Sequence, residues 1–76
     1  MSEVPPTRIE KHSLLVAGHR TSISLERAFW RALVSAAQED AVSVTALVSR
    51  IDAARDGNLS GAIRVFLLQR ALADAG

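Results

Sequence analysis

Between Gly18 and Glu26 the chain reads Gly-His-Arg-Thr-Ser-Ile-Ser-Leu-Glu, and from Arg20 to Leu25 its residues alternate in character. Thr21, Ile23 and Leu25 fall on one side, Arg20, Ser22 and Ser24 on the other. That is the period-two pattern of a half-buried β-strand. Everything after it reads as helix. A lone strand leaves hydrogen-bonding edges unsatisfied, so this one must find a partner. The partner it finds constrains the fold more than any other choice open to the chain.

One candidate lies just upstream. Ser13-Leu-Leu-Val-Ala17 is also β-prone, and Ala17-Gly18-His19-Arg20 has Gly at the first central position of a type II′ hairpin turn. In that register Val16 opposes Thr21 and Leu14 opposes Ile23, giving one apolar face. The other possibility is a single longer strand bent at Gly18. Before this region, Pro5-Pro6 disfavours helix and Arg8 to His12 is polar and mixed in charge. Residues 1–11 are expected to form a flexible arm, with the folded domain over 12–76.

Three helices are expected beyond the strand. The first runs from Glu26 to about Glu39, with Phe29, Leu33 and Ala36 as its apolar stripe and Ser24 as a candidate N-cap. Trp30 is expected in a core or interface, and Arg27 and Arg31 on a solvated face. Asp40-Ala41-Val42 breaks the helix. Ser43 then caps a second helix from Val44 to about Ala54, in which Val44, Leu47, Val48 and Ile51 recur at i, i+3, i+4 and i+7. Gly57 suits the left-handed C′ position. Asn58 or Ser60 caps a third helix that ends near Asp74. Leu59, Ile63, Phe66 and Leu67 lie on one side of it, and Val65, Leu68 and Leu72 widen that side well beyond a stripe.

Composition bears on how so broad a face is covered. The chain has 76 residues, 49% of them apolar and none of them Cys. A domain of this size buries only about 60% of its unfolded surface, so a second subunit is the easiest cover for the third helix. The lack of Cys excludes a disulfide framework and Cys-ligated metal sites. Net charge is +1, but residues 1–38 carry five cations against three carboxylates and residues 39–76 four against five. The positive half holds the strand, a lean towards an anionic partner. No run approaches the roughly 18 apolar residues of a membrane span, and no secretion signal is visible.

Two constellations offer function. If two copies of the strand pair antiparallel, Arg20, Ser22 and Ser24 of both lie on one face of a ribbon that fits the major groove of DNA, about 12 Å wide. Arg can bond guanine in a bidentate manner, and Ser can bond several base edges. Taken alone, the alternation is better served by an ordinary strand with a solvated polar face. At the start of the second helix, Ser43, Val44 and Thr45 offer N–H and hydroxyl groups at the positive end of a helix dipole, suited to phosphate. Taken alone, this is better served by a cap satisfying its own helix. His12 and His19 have no carboxylate at metal-ligand spacing; His19 is a turn residue or an auxiliary phosphate contact. No nucleophile–base set or phosphate-binding Gly loop is present, so neither an enzyme nor a cofactor or metal site is expected.

Arg20-Thr-Ser-Ile-Ser-Leu-Glu, the Phe29/Leu33 helix, the Ser43-Val-Thr cap and the Leu47/Val48/Ile51 helix together resemble the ribbon-helix-helix family of DNA-binding repressors. The chain is most similar to an extended bacterial subgroup, through Ala17–Glu26, Ile51-Asp-Ala-Ala-Arg55 and Gly57-Asn-Leu-Ser60. The resemblance covers about residues 12–72. It implies a mainly α homodimer with a short β-ribbon and an extra C-terminal helix. It implies base contacts from Arg20, Ser22 and Ser24, and phosphate contacts from Ser43, Val44, Thr45 and His19. It also implies a dimer interface over Thr21, Ile23, Leu25, Leu47, Val48 and Ile51, which Phe66 of the third helix extends. Ala41 stands where many members have Gly, so Asp40 is expected to supply the left-handed residue. Two serines among three ribbon positions imply modest direct readout, leaving affinity to phosphate contacts or to several dimers acting together. The partners expected are double-stranded DNA and a second copy of the chain, in the bacterial cytoplasm and away from membranes. The alternative is an antitoxin-like or adaptor module whose third-helix surface binds another protein.

Overall fold

The computed structural model describes residues 3–75; Met1 and Ser2 of the expected arm, and Gly76 at the end of the expected domain, lie outside the described residues. Strands β1 (Ile9–Val16) and β2 (His19–Glu26) are followed by helices α1 (Arg27–Glu39), α2 (Val44–Ala54) and α3 (Leu59–Ala75). The strands form one antiparallel two-stranded sheet, so the chain takes the hairpin and not the single bent strand.

The register differs from the expected one. Val16 faces His19 and Leu14 faces Thr21, while Ile23 faces His12. The cause is the turn. Ala17 and Gly18 have φ of 51° and 81°, and a two-residue type I′ turn needs positive φ at both central positions. Gly18 therefore takes the second central position, not the first. The slip is two residues, so every side chain keeps its face. Leu14, Val16, Thr21, Ile23 and Leu25 still point inward.

β1 begins at Ile9 and so takes in the last three residues of the stretch expected as an arm. The carbonyls of Pro6 and Arg8 accept hydrogen bonds from Ala28 N–H (2.9 Å) and Arg27 N–H (2.8 Å). These are orphan donors of the first turn of α1. Ser24 does not cap this helix as expected: the N-cap position is Glu26, with no side-chain cap bond. Because β2 runs through Glu26 straight into the helix, Ser24 stays in the sheet.

The C-terminus of α1 closes in a Schellman motif. Val42 N–H donates to Ala37 O (3.0 Å) and Ala41 N–H to Gln38 O (3.1 Å), the two bonds that define it. The left-handed residue is Ala41, at φ 56°, and not Asp40, at φ −87°. The motif puts its positive φ at C′ whatever residue stands there, and Asp40 is the C-cap. Ser43 Oγ accepts from Ala46 N–H at 3.0 Å and caps α2. Gly57 has positive φ, 94°, but α2 ends on Arg55 in an extended conformation, which puts Gly57 one position beyond C′. Asn58 Oδ1 accepts from Gly61 N–H at 2.6 Å and starts α3.

Every element contributes to the core. Val16, Ile23 and Leu25 come from the sheet, Leu33, Ala36 and Ala37 from α1, Leu47, Val48 and Ile51 from α2, and Ile63 and Leu67 from α3. Full burial of one such Leu or Ile is worth about 1.5–3 kcal/mol. Ion pairs tie the elements together at the surface. Arg27 of α1 holds Glu10 of β1 (3.1 Å), Arg64 of α3 holds Glu26 at the end of β2 (2.9 Å), and Arg70 of α3 holds Asp40 (2.9 Å) and Glu39 (3.1 Å). His12 stacks on Trp30 with ring centroids 3.6 Å apart and planes within 6°. No described helix is long and apolar enough to cross a membrane.

Candidate nucleic-acid interface

The hairpin has two unlike faces. Its inner face lies on the helices. Its outer face presents Arg20, Ser22 and Ser24 from β2, all exposed as the alternation placed them. Register sets Leu15, Ser13 and Lys11 of β1 directly across from them, in that order, and these three are exposed too. Lys11 and Ser13 are the residues that the sequence reading missed. Burial alternates unbroken from Ile9 to Val16, but residue type does not: Ile9 faces outward, and the inward positions include Glu10 and His12, polar residues that look solvent-facing in a sequence. The structure accounts for both: Arg27 pairs with Glu10, and Trp30 covers His12.

The charge on this face is positive and uncompensated. Neither Lys11 nor Arg20 lies within ion-pair distance of a carboxylate among the described residues. Glu26 shares the parity of Arg20 but is bound to Arg64 of α3. Its own backbone N–H and the Arg64 guanidinium hold its carboxyl below the usual range, so it stays ionised and engaged away from the face. His19 is exposed at the first position of β2, beside the turn.

At the start of α2, Ser43 Oγ is committed to Ala46 N–H. Val44 and Thr45 N–H have no hydrogen-bond partner among the described residues, and the Thr45 side chain is only half-buried. The first turn thus keeps two free donors at the positive end of the helix dipole.

The residues expected at a dimer interface divide. Ile23, Leu25, Leu47, Val48 and Ile51 are buried inside the single chain. Thr21 and Phe66 are half-exposed, and Phe66 lines a groove between α2 and α3 with Ile51, Ala62 and Val65. Val65, Leu68 and Leu72, which give α3 its breadth, remain exposed. No group of three or more His, Asp or Glu among the described residues is placed to hold a metal ion.

A two-stranded sheet followed by three helices, with an exposed cationic strand face, is an extended ribbon-helix-helix arrangement. The chain belongs to the family of the ribbon-helix-helix domain, whose model matches residues 9–71. Members of this family are usually DNA-binding regulators or antitoxins. Among solved structures, the chain is similar to an uncharacterized protein from Bordetella pertussis Tohama I. Identity is 28% and the TM-score 0.80, over 92% of this chain and 61% of that one. The match thus spans about three fifths of that protein's chain. No curated protein sequence matches this one.

Proposed function

We propose that this chain is a sequence-specific DNA-binding regulator, acting as a transcriptional repressor in the bacterial cytoplasm. It works as a homodimer whose β2 strands pair antiparallel and enter the major groove. The observation that carries this reading is the outer face of β2, where Arg20, Ser22 and Ser24 stand exposed and no carboxylate among the described residues pairs with the cation. Arg20 reads guanine, Ser22 and Ser24 take neighbouring base edges, and Val44 and Thr45 N–H hold a phosphate, with Ser43 orienting that turn and His19 at the groove edge. The surface area supports a second copy. At 5220 Å² it exceeds by roughly 700 Å² what a compact monomer of this mass exposes, close to one partner's share of a standard interface, about 800 Å². β2 has one edge without a strand partner among the described residues; in this reading a second β2 pairs there, with Thr21 and Phe66 of both copies at the contact.

A second reading has its own observation. Val65 and Leu68 border an apolar groove between α1 and α3, with Ala28, Phe29 and Ala32 on its other wall, a surface that fits a protein ligand of an antitoxin-like or adaptor module. Salt-titrated binding separates the two. A DNA reader loses affinity steeply as salt rises, through counterion release. Arg20→Ala should cost roughly 1–3 kcal/mol and relax specificity at one base position. Failure to bind genomic or random duplexes even at low salt overturns the DNA reading and leaves the α1–α3 groove as the working surface.

A further inference from the structure

We infer that β1 is a phosphate-binding strand that flanks the groove-reading strand, with Lys11 as its anchoring cation and Ser13 as a hydroxyl donor to the same backbone. The inference rests on the DNA-binding reading above and adds a second class of contact to it.

Three observations lead there. First, the hairpin register fixes Lys11 across from Ser24 and Ser13 across from Ser22, so both project from the same face as the proposed base-reading residues. Second, both are exposed, and Lys11 has no carboxylate within ion-pair distance among the described residues. The acids beside it in sequence and in the strand register are engaged elsewhere: Glu10 pairs with Arg27, and Glu26 with Arg64. Third, β1 occupies one edge of β2, so a second copy of β2 has only the other edge to pair with.

Geometry then decides what β1 can touch. Two β2 strands side by side lie about 2.4 Å either side of the two-fold axis, and the flanking β1 strands about 7 Å out, given a strand spacing of about 4.8 Å. The major groove is about 12 Å wide, about 6 Å from axis to wall. The central pair fits inside. The outer strands fall on the walls, where the sugar-phosphate backbone runs and base edges are out of reach. A cation and a hydroxyl are what a phosphate oxygen needs.

The test is a salt titration of binding to sheared genomic DNA, together with selection from a randomised 30-base-pair duplex pool, on the wild-type chain and on Lys11→Gln, Lys11→Arg and Arg20→Ala. Circular dichroism and the thermal midpoint of each variant check that the fold is retained. Lys11→Gln should make the dependence of log affinity on log salt shallower by about one unit per lysine lost, about two per dimer, and select the same DNA motif as wild type. Lys11→Arg should restore the slope. Arg20→Ala should change the selected motif. A wild-type slope in Lys11→Gln overturns the inference while leaving the DNA reading in place, as does a changed motif in Lys11→Gln, which would make Lys11 a base reader. If the wild-type chain binds neither DNA pool at low salt, both readings fall together.

Discussion

Two alanines hold backbone conformations in which a Cβ is a burden. Ala41 sits at φ 56° in the Schellman motif and Ala17 at φ 51° in the hairpin turn. The left-handed region costs an L-residue roughly 1–2 kcal/mol relative to Gly, part of which Gly gives back as extra entropy in the unfolded chain. Ala41→Gly should therefore stabilise the protein by about 0.5–1 kcal/mol, read as a rise of several degrees in the thermal midpoint. An unchanged or lower midpoint would mean that the turn relaxes some other way. This is also where the sequence is hardest to read. Asp tolerates the left-handed region better than Ala, so preference alone favoured Asp40. The motif's hydrogen bonds, from Val42 to Ala37 and from Ala41 to Gln38, overrode preference and placed the strain one residue later.

The start of α2 combines two duties, and a single substitution can part them. Ser43 Oγ caps the helix through Ala46 N–H, while Val44 and Thr45 N–H find no partner among the described residues. Ser43→Ala removes the cap, about 1 kcal/mol of stability, and weakens DNA binding as well, so loss of fold and loss of contact are mixed. Ser43→Asp keeps a capping oxygen and suits the helix dipole, yet sets a negative charge where a phosphate would sit. Its thermal midpoint should match or exceed wild type while its affinity for every DNA sequence falls. Equal affinity would remove this turn from the interface. Elements with strong periodicity were legible from residues alone. The Val44–Ala54 helix needed only its cap and its Leu47/Val48/Ile51 stripe, and β2 only its alternation. β1 was legible just over its apolar end, Ser13 to Val16, because Glu10 and His12 face inward on the strength of partners 17 and 18 residues away, Arg27 and Trp30. Nothing local announces such partners. The hairpin turn misled for the opposite reason: Gly18 invited one turn type, and a neighbouring Ala accepted another.

Across the whole molecule, long-range ion pairs join the ends of the chain to its middle, and they should set its response to acid. Arg70, hydrogen-bonded to Asp40, holds that carboxyl below its ordinary range, and the backbone and Arg64 do the same for Glu26. Carboxyls with lowered pKa contribute stability that is present above their unfolded values and lost as pH falls through the folded ones. The thermal midpoint should thus hold near neutral pH and fall as pH drops below about 4. Arg70→Gln should start lower at pH 7 and decline less on acidification; an identical acid limb in both would remove the Arg70–Asp40 pair from the balance. The sequence also argued that so small and apolar a chain covers its third helix with a second copy, and Val65, Leu68 and Leu72 of that helix are exposed in the single chain. Ile23, Leu25, Leu47, Val48 and Ile51, which the family resemblance assigned to a dimer interface, are buried within one chain.

That open face has a consequence for how such a protein responds to its own abundance. A fold that leaves Val65, Leu68 and Leu72 exposed gains stability from any second copy that covers them, so in the proposed homodimer folding and pairing draw on one equilibrium. The thermal midpoint of such a dimer rises with protein concentration. Abundance then governs both how many pairs exist to occupy DNA and how firmly each copy holds its shape.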